Sequence, residues 1–291
     1  MTEELQDYFK RVIRATEDTL DELLPHDGAY PENIHAVMRY STFAGGKRVR
    51  PALVMAAYEA CGGTFGDQNV RYASAAIEML HTFSLMHDDL PCMDDDDFRR
   101  GKPTAHRAFN EALAVLGGDA LCIFAFEVLS RTGRIDLIQE IAQSLGTNGM
   151  IGGQVVDIES EGKRVDQKII EYIHINKTAK LIRASVRTGA LLANATKQQF
   201  ENLSTYGLNV GLAFQIVDDI LDEEGTTEQL GKDAGSDRER GKATYPAIFG
   251  IEQSRTAAKD LIDTATQNLA EFGESGGVLL LLADFIRTRI T

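Results

Sequence analysis

Residues 5–24 read LQDYFKRVIRATEDTLDELL, and the spacing of the apolar side chains in this stretch decides the fold class. These side chains recur at intervals of three and four residues, the period of one face of an α-helix. The apolar positions are Leu5, Phe9, Val12, Ile13, Leu20 and Leu24. The same period dominates the rest of the chain, and no long segment alternates as a half-buried strand does. The sequence therefore predicts an all-α fold.

Short breaks rich in glycine and proline separate the predicted helices. They are Pro25 to Pro31, Gly45-Gly46, Gly62-Gly63, Pro91, Gly117-Gly118-Asp119, Gly162 and Gly225. About ten or more helices result. The stretches from Asp67 to about Asp89 and from Asp166 to about Thr188 are long enough to be central helices. Helices joined by short connections favour an antiparallel bundle whose inward polar residues build a site in the core.

The chain has 291 residues, which would allow two domains by length alone. No linker, repeat or low-complexity tract marks a boundary between domains. We therefore expect a single domain over residues 1–291.

The net charge of −14 argues against binding to nucleic acid or stable association with an anionic membrane. The three cysteines, Cys61, Cys92 and Cys122, lack the spacing of a zinc site or a disulfide framework. The N-terminus is acidic and polar, unlike an export signal, and the longest strongly apolar run, Val278 to Ala283, is too short to cross a bilayer. We expect a soluble cytoplasmic protein.

Two acidic clusters stand out. In the second, Gln215, Asp218, Asp219 and Asp222 follow helical spacing within an apolar helix, so one face carries an amide and several mutually repelling carboxylates. A solvated acidic face is the plain alternative, but the apolar surroundings favour a divalent cation, because Mg²⁺ takes oxygen ligands and completes its shell with water and phosphate.

The first cluster is Asp88-Asp89-Leu-Pro-Cys-Met-Asp94. It ends a long helix, and because Pro91 distorts or ends that helix, Asp94 is expected to reach the site from the following turn. The run Asp95 to Asp97 is interpreted as a solvated acidic surface.

Dense cationic patches complete the pattern in this acidic protein. They are Gly45-Gly46-Lys47-Arg48-Val49-Arg50-Pro51, Arg99-Arg100-Gly101-Lys102, Lys177-Thr178, and Lys232 with Lys242. Arginine and lysine suit phosphate recognition, and glycine lets the backbone approach closely. Each patch alone is also compatible with surface charge balance, but acidic and basic clusters together indicate a diphosphate bridged by Mg²⁺.

In order along nearly the whole chain, these motifs resemble the trans-prenyltransferase family, and most closely its bacterial farnesyl diphosphate synthases. The signatures are the Gly45 motif, Asp-Asp-x-x-x-x-Asp with Arg99-Arg100-Gly101, Lys177-Thr178, Phe214-Gln215-x-x-Asp-Asp-x-x-Asp, and Gly231-Lys232-Asp-x-Gly-Ser-Asp. The resemblance implies the class I isoprenoid synthase fold, with helices around a central cavity, and a homodimer.

The resemblance also implies the roles of individual residues. Direct ligands of about three Mg²⁺ ions would be Asp88, Asp94 and Asp218, supported by Asp89, Asp219 and Asp222. The allylic diphosphate would be held by Arg99, Lys177 and Lys232, and isopentenyl diphosphate by Lys47, Arg50, His81 and Arg100. Catalytic oxygen dipoles beside the allylic carbon would come from Lys177, Thr178 and Gln215. His81 on its own would be interpreted as a core histidine.

Such a site would condense isopentenyl diphosphate with dimethylallyl and geranyl diphosphate by ionisation, condensation and elimination. Metals and cations would neutralise the leaving diphosphate, and the alkene would attack the carbocation. The departing diphosphate would accept the final proton, which explains why no nucleophilic triad is visible.

Product length in the family depends on the side chains just before the first acidic motif, which here are Phe83 and Ser84. Phe83 lies five residues before Asp88, about 7.5 Å along a helix axis. The aromatic side chain and the two extra residues between the acids, Pro91 and Cys92, predict the C15 product, farnesyl diphosphate. The C20 product, geranylgeranyl diphosphate, is the alternative.

Three other classes are weaker. A terpene cyclase has no use for Lys47, Arg50 and Arg100, a non-catalytic subunit would have lost one acidic motif, and no Ca²⁺-loop pattern occurs. One departure from the family is the C-terminus, Arg287-Thr-Arg289-Ile-Thr291, which lacks the terminal basic residue that some members hold over the active site.

Overall fold

The computed structural model describes residues 1–163, 165–224 and 242–290, and helices make up nearly all of its regular structure. The α-helices are α1 (Glu3–Leu23), α2 (Glu32–Thr42), α3 (Val49–Ala60), α4 (Gln68–Asp88), α5 (Ala105–Ala108), α6 (Glu111–Ser130), α7 (Ile135–Leu145), α8 (Met150–Ser160), α9 (Gln167–Ile173), α10 (Lys180–Leu192), α11 (Lys197–Glu224), α12 (Tyr245–Phe249), α13 (Ile251–Gln267) and α14 (Gly277–Arg287). A π-helical turn, His174–Ala179, joins α9 to α10, and 3₁₀ turns span Ala270–Gly276 and Thr288–Ile290. The all-α prediction is confirmed.

The chain packs into two compact units. The first contains Met1–Asp7, Leu53–Phe65 and the described part of Gln139–Thr291, and the second contains Tyr8–Ala52 and Gly66–Ile138. The candidate residues divide between them: the first acidic cluster lies in the second unit and the later one in the first. The single domain over residues 1–291 stays a prediction.

The core of the second unit is the packing of α4 against α6. Gly117 of α6 lies against Val37 and Met86, and Gly118 lies against the His87 ring, so closely that a Cβ on either glycine would collide with these side chains. The expectation that the helix breaks at Gly117-Gly118-Asp119 is therefore wrong. These glycines are in the middle of α6, where they let neighbouring helices approach.

The predicted long helix from Asp166 to about Thr188 is present as an unbroken helical segment, but it contains a π-helical turn that the sequence does not predict. Asp166 caps α9 by accepting the Ile169 N–H at 3.1 Å, and the π-helical turn then precedes α10. Gly153 of α8 lies against the backbone of Lys177, and Gly211 of α11 lies against Ala179. Wide turns of this kind are frequent at functional sites because they re-aim the side chains that follow.

A short hairpin of β1 (Phe98–Arg99) and β2 (Lys102–Pro103) follows the first acidic cluster. Its two-residue loop is Arg100-Gly101, with φ of 54° and 77°. A two-residue hairpin with positive φ at both loop positions matches the twist of the strands. The loop fixes the direction in which Arg100 leaves the backbone.

By length and composition alone, the 20-residue helix α6 is apolar enough to cross a membrane, which the sequence analysis did not anticipate. Core helices of soluble proteins have the same composition. Here one face of α6 is buried against α4 and α2. The outer face carries the exposed side chains of Val115, Leu116 and Ile123.

Candidate active site

The first acidic cluster forms where α4 ends. Asp88 is the last residue of the helix, and Pro91 follows in the turn, as the sequence predicts. The N–H of Asp94 donates to the carbonyl of Asp88 at 2.7 Å. This turn brings Asp94 back against the helix end, and both side chains are partly exposed.

Asp89 differs from Asp88 because it is buried. Its carboxylate accepts from Arg99 Nε at 2.9 Å, while Arg99 Nη2 also donates to Asp96 at 2.9 Å. Burial raises the pKa of Asp89 to about 6, although the Arg99 charge opposes that shift. Asp89 and Asp96 together hold the guanidinium that we expect to contact the allylic diphosphate.

The acidic run after Asp94 divides into two kinds of residue. The side chains of Asp95 and Asp97 are more than half exposed and face Arg107, which fits the solvated surface expected for them. Asp96 does not fit, because its side chain is only 16% exposed and pairs with Arg99. The sequence interpretation of a uniform acidic surface is wrong for this residue.

Arg100 fastens the hairpin to the glycine-rich loop. Its Nη1 donates to the carbonyl of Gly45, and its guanidinium lies where a Cβ on Gly46 would stand. The φ of Gly46 is 123°, a conformation that strongly favours glycine. The loop therefore needs glycine both for its backbone and for the approach of Arg100.

The candidate ligands of isopentenyl diphosphate share the second unit. Lys47 is exposed in the loop before α3, Arg50 is half-buried in the first turn of α3, and His81 lies on α4. Burial lowers the pKa of His81 well below 6.5, and the charges of Arg50 and Arg100 lower it further. A neutral imidazole among arginines fits a site that accepts an anion.

The second acidic cluster lies near the C-terminal end of α11. Asp218 is partly exposed, with 32% of its side chain accessible, whereas Asp219 and Asp222 are buried. Asp219 accepts from Gln215 Nε2 at 2.9 Å and from the Tyr245 N–H at 2.8 Å, and it lies 3.2 Å from His174 Nε2. Like Asp89, it anchors protein groups.

Thr178 and Gln215 are brought together across the π-helical turn and α11. The Thr178 hydroxyl donates to Gln215 Oε1 at 2.7 Å. Because the Asp219 carboxylate only accepts, the Gln215 amide turns its NH₂ toward Asp219 and its oxygen toward Thr178. The orientation of this amide is thus set by its two neighbours.

Lys177 is held on the same turn by a partner that the sequence analysis did not identify. Its Nζ donates to Asp157 Oδ2 of α8 at 2.6 Å, and Asp157 is buried. The predicted phosphate ligand Lys232, with its motif from Gly231, lies outside the described residues.

The two predicted chain-length residues face different ways on α4. Phe83 is 7% exposed, and its ring meets the His87 ring edge-on at 5.7 Å. Ser84 is partly exposed, and its hydroxyl donates to the carbonyl of His81 at 2.8 Å. Ser84 lies four positions before Asp88, so Ser84, rather than Phe83, shares the face of that carboxylate.

The donor set fits Mg²⁺ bound together with a substrate. In the parts of the chain that the structure describes, no three acidic, histidine or cysteine side chains converge into a complete metal site. Mg²⁺ commonly takes one or two carboxylates and fills its shell with water and substrate phosphate. Asp88 and Asp94 in the first cluster and Asp218 in the second are candidate oxygen ligands of that kind. Asp89 and Asp219 hold protein partners, and Asp218 also accepts from Arg289.

The sequence does not indicate several residues that contact the candidate site residues or the loops that carry them. They are Arg48, Glu78, Asp157, His174 and Arg289. Arg48 and Arg289 lie within or beside motifs that the sequence singled out. Glu78 and Asp157 are single acidic residues among apolar ones, a pattern that does not distinguish an anchoring group from a core residue, and His174 lies three residues before the Lys177-Thr178 motif.

Comparisons with known proteins agree with this chemistry. The family model described as polyprenyl synthetase matches residues 31–275. Curated relatives at 43% to 48% identity include the chloroplastic geranylgeranyl pyrophosphate synthase of Catharanthus roseus, which is 48% identical over 89% of this chain and 74% of its own length.

Solved structures cover nearly the whole chain. The apo structure of an FPP/GFPP synthase from Zymomonas mobilis has a TM-score of 0.87 at 35% identity and covers 99% of this chain and 100% of its own. A geranyltransferase from Helicobacter pylori, complexed with magnesium and isoprenyl diphosphate, has a TM-score of 0.84 at 30% identity, covering 99% and 97%.

These matches confirm the isoprenoid synthase fold. The family is magnesium-dependent, acts on prenyl diphosphates and forms dimers, some of them heterodimers. The chain belongs to the polyprenyl synthetase family and is a trans-prenyltransferase that condenses isopentenyl diphosphate with allylic diphosphates.

Proposed function

We propose that the enzyme elongates allylic diphosphates to geranylgeranyl diphosphate, with a specific role for each described candidate residue. Arg99 and Lys177 would hold the allylic diphosphate, and Lys47, Arg50, His81 and Arg100 would hold isopentenyl diphosphate. The observation that supports these roles is the pairing inside each cluster. The partly exposed Asp88 and Asp218 are the candidate cation ligands, while the buried Asp89 and Asp219 orient Arg99 and Gln215.

Mg²⁺ would supply positive charge to the leaving diphosphate, with Asp88 and Asp94 as candidate ligands in the first acidic cluster and Asp218 in the second. The chain's own contribution is orientation. Gln215 Oε1 and the Thr178 oxygen form a fixed pair of dipoles, which would stabilise the allylic cation without reorganising as it forms. The departing diphosphate would accept the proton that the condensed product loses.

Two observations support a C20 product over the C15 product that the sequence first suggested. Several curated relatives at 43% to 48% identity are named geranylgeranyl synthases, while one at 44% is named a dimethylallyltranstransferase. In addition, the small Ser84 lies on the Asp88 face of α4, while Phe83 packs edge-on against His87. A small side chain on that face leaves room for a longer tail.

Farnesyl diphosphate is the second candidate product, and the size of Phe83 favours it. The ring lies about one helical turn further from Asp88 than His87, and a bulky side chain at this depth would limit the length of a growing product. The solved relative from Zymomonas mobilis is named an FPP/GFPP synthase.

The deciding experiment is product analysis. Purified enzyme, Mg²⁺, radiolabelled isopentenyl diphosphate and geranyl diphosphate would be incubated, and the dephosphorylated alcohols separated by length. A C20 alcohol from wild type that shortens to C15 in Ser84→Phe supports the proposal. A C15 alcohol that lengthens in Phe83→Ala would instead establish farnesyl diphosphate as the product and Phe83 as the floor of the pocket.

We further propose that the enzyme forms a homodimer through the outer face of α6, defined by Val115, Leu116 and Ile123. These side chains are 39%, 54% and 72% exposed and lie on one face of the helix. A contiguous exposed apolar face is typical of a protein interface.

All three cysteines are free thiols, which supports a reducing, cytoplasmic location.

A further inference from the structure

Arg48 has an unusual environment for an arginine in a loop. Its side chain is fully buried, and its backbone has a φ of 51°. Nη1 donates to Glu78 Oε1 at 2.7 Å, while Nη2 donates to the Thr42 carbonyl at 2.8 Å and to Glu17 Oε1 at 3.1 Å. A guanidinium so enclosed has no access to a substrate, in contrast with its neighbours Lys47 and Arg50.

Burial of the Arg48–Glu78 ion pair lowers the stability gained from it, because both charges lose their hydration and Glu78 is only 2% exposed. Removing two charges from water costs several kcal/mol per ion, and apolar residues of similar volume often replace such pairs without loss of stability. Stability alone is therefore a weak reason for Arg48 and Glu78. Their value is geometric, because a fork-shaped donor with three fixed acceptors permits one arrangement of the loop.

The loop from Phe43 to Arg48 is fastened at two points. From the inside, Arg48 ties it to Glu78 on α4, three residues before His81 on the same helix. From the outside, Arg100 donates to the carbonyl of Gly45. Residues three apart on a helix share a face, so the Arg48–Glu78 pair sets the loop in register with the face of α4 that carries His81.

We propose that Arg48 and Glu78 are positioning residues for isopentenyl diphosphate, an inference that rests on the proposed roles of Lys47, Arg50, His81 and Arg100. The pair touches no substrate. It sets the spacing between the loop cations and the α4 histidine, so that their donors converge on one diphosphate. The allylic site depends on other anchors, namely Asp89 for Arg99 and Asp157 for Lys177.

The test uses Glu78→Gln, Arg48→Met and the double variant Arg48→Met/Glu78→Met, with steady-state kinetics for each substrate. In Glu78→Gln and in the double variant, KM for isopentenyl diphosphate is expected to rise about tenfold or more, because misplaced binding groups lose much of their effect. KM for geranyl diphosphate and kcat should stay within about threefold of wild type. Isothermal titration with isopentenyl diphosphate alone gives a readout independent of turnover.

The double variant separates positioning from stability. Since it removes both buried charges, it should unfold near the wild-type temperature while its KM for isopentenyl diphosphate stays high. If the double variant has both the wild-type unfolding temperature and the wild-type KM for isopentenyl diphosphate, the pair has only a structural role and the proposal is wrong. An unchanged KM in folded Glu78→Gln, or an equal rise in both KM values, would also contradict the proposal.

Arg71→Met is the matched control. Like Arg48, Arg71 donates to side chains of α1, but it lies on α4 and contacts Thr19 at 2.9 Å and Glu22 at 3.1 Å. It should lower stability slightly and leave both KM values unchanged. If Arg48→Met does not fold, Glu78→Gln still decides the question. Failure of wild type to condense the two substrates would refute the proposed function itself, which the titration distinguishes from failure of the positioning role.

Discussion

Arg289 donates from Nη1 to Asp218 Oδ1 at 2.6 Å, so a cation in the 3₁₀ turn Thr288–Ile290 lies against a candidate Mg²⁺ ligand. The same guanidinium stands over the Phe214 ring, 5.3 Å from its centroid. The sequence lacks the terminal basic residue that some family members hold over the active site. In the structure, Arg289 supplies a basic residue there, and it occupies the carboxylate that the metal would use.

Replacing Arg289 should tighten metal binding at Asp218. An arginine that must leave before Mg²⁺ binds reduces the apparent affinity by the free energy of its own contact, and partly exposed pairs contribute up to about 1 kcal/mol. We expect Arg289→Gln to lower the Kd for Mg²⁺ by about two- to fivefold in a titration without substrate, with a smaller difference at high salt. Arg287→Gln is the control, because Arg287 pairs with Asp284 and not with Asp218. Equal Kd values in the two variants would show that Arg289 does not compete with the metal.

The hydroxyl of Thr178 should matter for the chemical step. Thr178→Val keeps the shape but removes the donor to Gln215 Oε1, so the amide loses one of the two contacts that orient it. Loss of one oriented dipole at a developing charge should reduce kcat by about tenfold or more, with little change in either KM. Thr178→Ser retains the donor and should stay within about threefold in a rapid-quench measurement. A valine variant as fast as the serine variant would remove Thr178 from the catalytic set.

The candidate metal ligands Asp88 and Asp218 should be essential, whereas the exposed Asp97 should not. Asp88→Ala and Asp218→Ala are each expected to abolish turnover while the helical circular dichroism signal stays intact, because each removes an oxygen ligand from a partly exposed position. Asp97→Ala is the matched control, since its side chain is 57% exposed and pairs with Arg107. Full activity in either of the first two variants would contradict the metal assignment.

The sequence predicts those features of the site that depend on neighbouring residues, and it misses those that depend on residues far apart along the chain. The two acidic clusters are predicted to bind a metal because clustered carboxylates in an apolar helix need a local explanation. The choice of Asp88, Asp94 and Asp218 as direct ligands comes from the family resemblance. The turn after Pro91 was predicted for a local reason as well. By contrast, Arg48 and Glu78 are 30 residues apart, and Asp157 and Lys177 are 20 apart, so neither pair leaves a local pattern.

Helix interiors show the same limit. A Gly-Gly pair within an apolar run has the local pattern of a break, but the packing of Val37, Met86 and His87 on α6 explains Gly117 and Gly118. The π-helical turn at His174–Ala179 is invisible for a similar reason, because the partners that it faces, on α8 and α11, come from other parts of the chain.

The thiol of Cys61 should react slowly with alkylating reagents. Burial raises its pKa to about 11, and only the thiolate attacks, so its rate should be low at pH 8 and rise with pH until about 11. Cys92 is exposed and should account for the fast phase with iodoacetamide, which Cys92→Ser should remove. Peptide mapping of the labelled protein assigns each phase, and rapid labelling of Cys61 at pH 8 would contradict its buried environment.

A charge on the outer face of α6 should weaken the proposed homodimer. Ile123 is 72% exposed in one chain, and in a two-fold interface each copy would bury it, so Ile123→Glu loses two apolar contacts and places two carboxylates where water is excluded. Ile135 lies at the start of α7 and is 71% exposed, which makes Ile135→Glu a control of equal exposure and charge. Light scattering after size-exclusion chromatography should show a dimer for wild type and for Ile135→Glu, and a shift toward monomer for Ile123→Glu. If both variants remain fully dimeric at micromolar concentration, the interface lies on another surface, and the apolar face of α6 has a different partner.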